Sequence, residues 1–109
     1  MAYDEGVAQR LREMLEGEPG IQQKRMFGGL AFMLRGNMCC GVVGDTLMAR
    51  VGPDRYADAL KRPHAREMDF TGRPLNGFVY VAPAGFESDA DLAGWVSLCV
   101  SFAAALPVK

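Results

Sequence analysis

The clearest pattern in the chain is a series of three short apolar segments between residues 30 and 51, separated by glycine-containing dipeptides. Gly36-Asn37 and Gly44-Asp45 are favoured two-residue hairpin turns, because glycine readily adopts the positive φ that such turns require. The spacing therefore predicts three consecutive antiparallel strands at 30–35, 38–43 and 46–51.

The turn positions also determine which side chains share a face of the sheet, because alternate residues of a strand point to opposite sides. One face is predicted to carry Leu30, Phe32, Leu34, Cys39, Val43 and Met48, with Thr46 and Arg50. The other is predicted to carry Ala31, Met33, Met38, Cys40, Val42, Leu47, Ala49 and Val51, with Arg35. Both faces are apolar, whereas a sheet with one solvated face alternates apolar and polar residues. We therefore expect helices on one face and a partner subunit on the other, most simply in a homodimer.

Three helices are expected around this sheet. Apolar residues at helical spacing, a proline at a first helical position and a Ser-x-x-Asp capping pattern predict helices at 4–16, 53–62 and 88–106. Further strands are predicted at 23–27 and 78–81, with a short one at 67–70. The chain is thus predicted to be a single α+β domain over residues 1–109, with an antiparallel sheet of about five strands and three helices.

The last predicted helix carries no charged side chain after Asp91, so we expect it to be buried or to lie at an interface. The uncharged stretch 92–108 is at the lower limit of length for a membrane span and contains Pro107, so a buried helix explains it better. The interface candidates on the sheet and on this helix are Met33, Met38, Leu98 and Phe102.

Composition narrows the class of protein. The 109 residues are 50% hydrophobic and carry 12 Lys and Arg against 13 Asp and Glu, a net charge of −1. This balance is typical of one globular domain and argues against a general nucleic-acid coat or a polybasic membrane anchor. Three cysteines, two of them adjacent, form no paired framework, and the N-terminus has no secretory signal pattern. We therefore expect reduced thiols in a cytoplasmic protein.

The only concentrated run of charge is Lys61-Arg62-Pro63-His64-Ala65-Arg66, which Arg73 follows closely. Arginine forks suit phosphates and acidic protein surfaces, although a solvated loop after a helix explains the run as well. His64 is the only histidine and thus the only candidate neutral-pH base, with an ordinary loop residue as the simpler interpretation. The anion- or partner-binding candidates are Arg25, Lys61, Arg62, His64, Arg66 and Arg73.

A zinc site is the remaining chemistry that the residue types allow. Cys39, Cys40, Cys99 and His64 include the ligands of a three-cysteine, one-histidine site. Adjacent strand residues point to opposite faces, however, and structural zinc sites favour cysteines separated by a short spacer. Because buried thiols acting as small apolar residues are the simpler interpretation, we predict no metal. The sequence has no phosphate-binding glycine pattern and no close carboxylate pair that could act as acid and base, so we also predict no cofactor and no catalytic residue.

Several motifs together resemble one known family. They are Arg25-Met26-Phe27-Gly28-Gly29, Gly36-Asn37-Met38, Leu47-Met48-Ala49-Arg50-Val51, Phe70-Thr71-Gly72-Arg73-Pro74-Leu75 and Gly77-Phe78-Val79-Tyr80-Val81. Through these residues, from about Ile21 to Leu106, the chain is similar to the TfoX N-terminal domain family.

The resemblance implies an α+β domain with the two-layer architecture of secretion chaperones. It also implies a role like that of the N-terminal domain of bacterial competence-gene regulators, in which a second domain follows; with the chain ending at Lys109, we expect a stand-alone domain. The expected function is a non-enzymatic regulatory module that contacts an unidentified protein partner. The alternatives are a weak nucleic-acid-associated regulator using the basic loop 61–73, and a small-molecule or enzymatic site around His64 with Arg66 or Arg73.

Overall fold

The computed structural model describes residues 3–69 and 72–109, which form three α-helices and six strands. The helices are α1 (Glu5–Met14), α2 (Tyr56–Leu60) and α3 (Asp89–Ala104), and 3₁₀ turns at Pro53–Arg55 and Pro83–Gly85 precede the last two. The strands are β1 (Ile21–Met26), β2 (Gly29–Leu34), β3 (Asn37–Val43), β4 (Thr46–Arg50), β5 (Ala65–Glu67) and β6 (Phe78–Val81). They form one antiparallel sheet in the order β1-β2-β3-β4-β6-β5. The predicted α+β fold is confirmed, with six strands instead of about five.

The additional strand is β5, at one edge of the sheet. It has only three residues, Arg66 and Glu67 among them, so it lacks the apolar alternation that marks a strand in the sequence. The sequence predicted a strand at 67–70, whereas the structure pairs Ala65–Glu67 with β6. Phe70 lies outside the described residues.

The register of the strands defines two faces, because cross-strand partners point to the same side of a sheet. We call the side that carries Leu30, Val42, Leu47 and Val81 the helix face, since the buried residues of all three helices join these side chains in the main core. The opposite side forms a second apolar cluster without any helix residue. We call it the methionine face; it carries Ala31, Met33, Met38, Met48, Phe78 and Tyr80.

The first turn of the meander lies one residue earlier than predicted. Arg35 and Gly36, with φ of 52° and 86°, occupy the turn, so that Leu34 pairs with Asn37. Two positive φ values are the signature of a type I′ hairpin turn. Asn37 belongs to β3 instead, and its buried side-chain amide donates to the Pro107 carbonyl at 2.8 Å. The predicted turn at Gly36-Asn37 is therefore wrong.

The shift of the turn alone leaves the predicted faces unchanged, because it changes the pairing of β2 with β3 by two residues, and Met38 shares a face with Met33 as predicted. A bulge then changes the register once more, so that Met33 pairs with Met38 but Phe32 pairs with Cys40, which leaves Cys39 as the extra residue. The bulge shifts the pairing by one residue, so β3 from Cys40 onward and the whole of β4 lie on the faces opposite to the predicted ones. From β3, β4 and the residue after β4, the side chains that join Leu30, Phe32 and Leu34 in the main core are those of Cys39, Cys40, Val42, Leu47, Ala49 and Val51.

The chain itself covers part of the methionine face. After β5 it folds back over the sheet, and Met68 is fully buried in one cluster with Ala31 and Met48. The Leu75 amide donates to the Met68 carbonyl at 2.8 Å, which holds the returning segment in place. The sequence predicted a partner subunit as the cover of this second face, and the segment that begins at Met68 supplies some of that cover instead. The homodimer stays a prediction.

Both long helices begin at side-chain caps. The Asp4 carboxylate accepts a hydrogen bond from the Val7 amide at 3.1 Å, and the Ser88 hydroxyl accepts one from the Asp91 amide at 3.0 Å. The cap predicted at Ser88 is confirmed. Arg10 on α1 then fastens the two helices together, because its guanidinium donates to the Phe86 carbonyl at 2.9 Å just before α3 begins.

Candidate functional site

The basic run 61–66 forms the connection between α2 and β5. The Ala65 amide donates to the Arg62 carbonyl at 3.3 Å, and the Ala82 amide donates to the His64 carbonyl at 2.9 Å. Between these bonds, His64 has a φ of 68°, a left-handed conformation that is uncommon for a residue with a side chain. The charged side chains of this segment are therefore presented from a backbone that is fixed at both ends.

The arginines of this segment diverge to opposite sides of the molecule. The guanidinium carbon of Arg62 lies 4.9 Å from the ring centroid of Trp95, a residue of the main core on α3. The guanidinium carbon of Arg66 lies 4.7 Å from the ring centroid of Tyr80, on the methionine face. Both contacts have the geometry of a cation–π interaction. The structure thus divides the predicted basic patch between two surfaces.

The other basic candidates lie apart from this segment. Arg25 is an exposed residue of β1, and strands β1 and β5 are opposite edges of the sheet, roughly 24 Å apart at the usual strand spacing. Arg73 is exposed on the segment that returns from β5 to β6. The structure therefore does not unite Arg25, Lys61, Arg62, His64, Arg66 and Arg73 into one anion site.

A cavity of about 290 Å³ lies between the basic segment and the first turns of α3. Its lining includes Arg62, His64, Asp91 and Trp95. Neither Arg66 nor Arg73 lines it, although the sequence paired His64 with one of these arginines in its small-molecule alternative. The cavity brings His64 together with a different arginine and with a carboxylate.

The four interface candidates occupy two separate surfaces. Met33 and Met38 are cross-strand partners on the methionine face, where Met33 is half-buried and Met38 is only 4% exposed. Leu98 and Phe102 lie on α3 and line a cavity of about 210 Å³ beside Val51. The sheet separates Met33 and Met38 from Leu98, and the two surfaces approach each other where Arg50 contacts Phe102.

The methionine face has a distinctive distribution of charge. By the register, the charged side chains on its strands are Lys24 opposite Ala31, Arg50 opposite Phe78, and Arg66 opposite Tyr80. The partly buried side chains around them are those of Met26, Phe27, Met33, Val43, Leu75, Phe78 and Tyr80. Every charged strand position on this face is cationic, although the whole chain has a net charge of −1.

Arg50 is the most enclosed of these cations. Its guanidinium carbon lies 5.3 Å from the ring centroid of Phe78 and 5.2 Å from that of Phe102, and one N–H donates to the Met38 carbonyl at 3.3 Å. Burial lowers the pKa of Arg50 from its ordinary value, and the nearby Cys39 opposes that shift. Because an arginine starts from so high a pKa, Arg50 stays charged at neutral pH.

The three thiols lie together in the main core. Cys39, Cys40 and Cys99 are each fully buried and free of disulfides. Both adjacent cysteines lie in the same core cluster, which corrects the expectation that they would point to opposite faces; Cys39 is the bulged residue. Within residues 3–69 and 72–109, no group of three or more His, Cys, Asp or Glu side chains has an arrangement that could hold a metal ion.

Two of these thiols, Cys40 and Cys99, are held in their neutral form. A hydrogen bond with Cys39, followed by burial, raises the pKa of Cys40 well above its ordinary value. Burial likewise raises the pKa of Cys99, against a smaller opposing effect of a hydrogen bond with the Arg50 backbone. Since the thiolate is the reactive form, this arrangement favours packing over nucleophilic chemistry.

The sequence model of the TfoX N-terminal domain matches residues 13–103, which is most of the chain. The chain belongs to the TfoX N-terminal domain family. No curated protein matches the chain. In this TfoX N-terminal domain the matched region begins within α1 and ends within α3, so it contains the whole sheet and the methionine face. No helix among the described residues has both the length and the apolar character needed to cross a bilayer.

The candidate site residues predicted from the sequence did not include Lys24 and Arg50, two cations that lie on the methionine face of this TfoX N-terminal domain. The seven methionines were the available signal, since most of them recur within the predicted meander and the strand before it. Methionine is common both in cores and at adaptable binding surfaces, so its abundance alone does not separate the two. The register separates them, because it shows which methionines share a face with the cations.

Proposed function

We propose that this TfoX N-terminal domain is a non-enzymatic regulatory module that acts by binding another protein. Membership of the family is consistent with a competence-regulator-like module. Regulation by contact requires a surface that can bury apolar area against a partner while remaining soluble in its absence. The methionine face has the composition for that role.

The observation that carries this proposal is the mixture of residue types on the methionine face. Half-buried methionine and aromatic side chains lie beside arginine there, and these three types are the ones enriched at protein interfaces. Val108 is the only large hydrophobic side chain that is strongly exposed in the described ranges, so the domain stays soluble while this face is unoccupied. The apolar surface of these half-buried side chains that remains exposed is available for burial against a partner.

The proposal is tested by capturing partners from the native lysate after nuclease treatment. The tagged proteins are the wild type, Met33→Asp on the methionine face, and Ser97→Asp on the exposed surface of α3 as the matched control. We expect the wild type and the control to retain a stoichiometric protein that Met33→Asp loses, because a buried carboxylate without a partner opposes association. Thermal melting checks that both variants fold.

Two results would contradict the proposal. One is the absence of any stoichiometric protein in the captured material. The other is a set of captured proteins that disappears with nuclease, which would favour the nucleic-acid alternative. Cytoplasmic localisation stays a prediction, and the native lysate is chosen to suit it.

A further inference from the structure

We infer that the methionine face binds an acidic amphipathic segment of the protein partner. This inference rests on the proposed function and adds the chemistry of the partner. Its basis is the combination of an apolar, methionine-rich surface with strand cations and no strand carboxylate on that side of the sheet. A segment with apolar side chains on one side and Glu or Asp around them is complementary to both features.

The cations frame the apolar area. Lys24 is exposed on the edge strand β1, Arg66 is exposed on the opposite edge strand β5, and Arg50 lies at the end of β4 between them. Asp69 and Arg73 on the returning segment are both exposed and carry opposite charges, so they leave this balance unchanged. An acidic segment across the face would therefore meet a cation at either edge.

Arg66 is the arginine of this face that is exposed to a carboxylate of the partner. The guanidinium carbon of Arg66 lies 4.7 Å from the ring centroid of Tyr80, and an arginine that stacks on an aromatic face keeps its edge N–H groups available to a partner. Paired N–H groups on a planar fork match the two oxygens of a carboxylate. The cation–π contact thus orients the donors before the partner arrives, which reduces the entropy lost on binding.

A second copy of this chain suits the face less well. Two methionine faces brought together would place Lys24, Arg50 and Arg66 of one copy against the same cations of the other, and like charges across an interface oppose association. Any homodimer is therefore expected to use the outer surface of α3, near Leu98 and Phe102.

Single-stranded nucleic acid also suits it less well, because bases need aromatic faces on which to stack. Phe27 and Phe78 pack edge to face, with centroids 6.5 Å apart and an interplanar angle of 62°, and Arg66 covers Tyr80. The rings are already engaged with protein groups. Methionine side chains, by contrast, adapt readily to the apolar side of a peptide.

The test uses a fluorescent synthetic peptide with Leu and Phe at helical spacing and Glu at the other positions. A scrambled peptide of the same composition controls for charge alone. Binding is measured by anisotropy to the wild type, to Lys24→Glu/Arg66→Glu, and to the matched control Arg25→Glu/Arg62→Glu. All four residues are exposed, each pair reverses two charges, and each removes one cation–π contact, but the control pair lies off the methionine face.

We expect the methionine-face variant to bind the amphipathic peptide roughly tenfold more weakly or worse, with the control within about twofold of the wild type. Lys24→Gln/Arg66→Gln provides a milder second variant if the charge reversals impair folding. Equal binding of the amphipathic and scrambled peptides would overturn the inference. Equal losses in the two double variants would do so as well.

Two further outcomes would assign the face to another occupant. Stronger binding of an oligothymidine probe, lost in the same variant, would make it a nucleic-acid surface. A dimer in sedimentation that only the methionine-face variant breaks would make it a contact between copies. If the peptide fails while lysate capture still yields a protein, the inference fails and the proposed function stands; if capture also fails, both fail.

Discussion

Two neighbouring glycines, one in the turn between β1 and β2 and one at the first position of β2, meet different physical demands. Gly28 has a φ of 75°, and a Cβ added to it would meet no other atom within 4 Å. A Cβ on Gly29 would lie 2.1 Å from the carbonyl oxygen of Val42 on β3. Gly28 is therefore needed for its conformation, whereas Gly29 is needed because another strand passes too close for a side chain.

The two roles predict different losses of stability when each glycine is replaced by alanine. Gly28→Ala should lower the free energy of unfolding by about 1 kcal/mol, the usual penalty of a left-handed residue with a side chain. Gly29→Ala should lower it by about 3 kcal/mol or more, since the clashing atom is backbone and can move only by disturbing the pairing of β2 with β3. Urea denaturation of both variants measures the difference. Equal losses would contradict this assignment of roles.

At the scale of single elements, the start of α3 depends on one side chain. The Ser88 hydroxyl satisfies the Asp91 amide, so Ser88→Ala should lower the free energy of unfolding by about 1 kcal/mol. The control is Ser97→Ala, an exposed position on the same helix, where we expect a change below about 0.5 kcal/mol. Thermal or urea unfolding measures both. A loss at Ser97 as large as that at Ser88 would contradict the capping role, because alanine is the better helix former and should not destabilise the interior of the helix.

Local signals were sufficient for the existence of these elements but not for their pairing. The capping pattern at Ser88 and the aromatic and β-branched run Phe78–Val81 are contained in a few consecutive residues, and both predictions are confirmed. The turn at Arg35 and Gly36 depended on a long-range contact, since Asn37 is bonded to Pro107 near the other end of the chain. The bulge at Cys39 left no local mark either. The turn sets where the pairing begins, and the bulge alone decides which side chains of β3 and β4 share a face with those of β2.

At the scale of the whole molecule, the methionine face could not be assembled from the sequence. Lys24 and Arg66 come from the two edge strands, and their common face follows only from the complete order of the sheet. The cover that Met68 provides requires the chain to return over the sheet after β5, which no pattern indicated. The basic run was visible at once, yet its arginines lie on two surfaces because β5 begins between them.

Two of the three buried thiols, Cys40 and Cys99, link the core to the pH dependence of stability. Cys40 and Cys99 have pKa values raised well above the ordinary value of 9.0 in the folded state. Below that value the thiols are protonated in both states, and their contribution to stability is fully present. As the pH rises above it, thiols of the unfolded chain ionise while those of the fold do not, so the free energy of unfolding falls.

Cys99→Ala should therefore make the free energy of unfolding decrease less steeply between about pH 8 and about pH 10. For the one thiol removed, the slope changes by up to about 1.4 kcal/mol per pH unit. Urea denaturation in the presence of a reductant measures the slope for the wild type, for Cys99→Ala and for Val96→Ala. The valine control lies on the same helix in the main core and carries no titratable group, so it should lose stability without changing the slope. Parallel slopes for the wild type and Cys99→Ala would mean that the thiol ionises as readily in the fold as in the unfolded chain. The packing around Cys99 would then have to admit water, which its complete burial opposes.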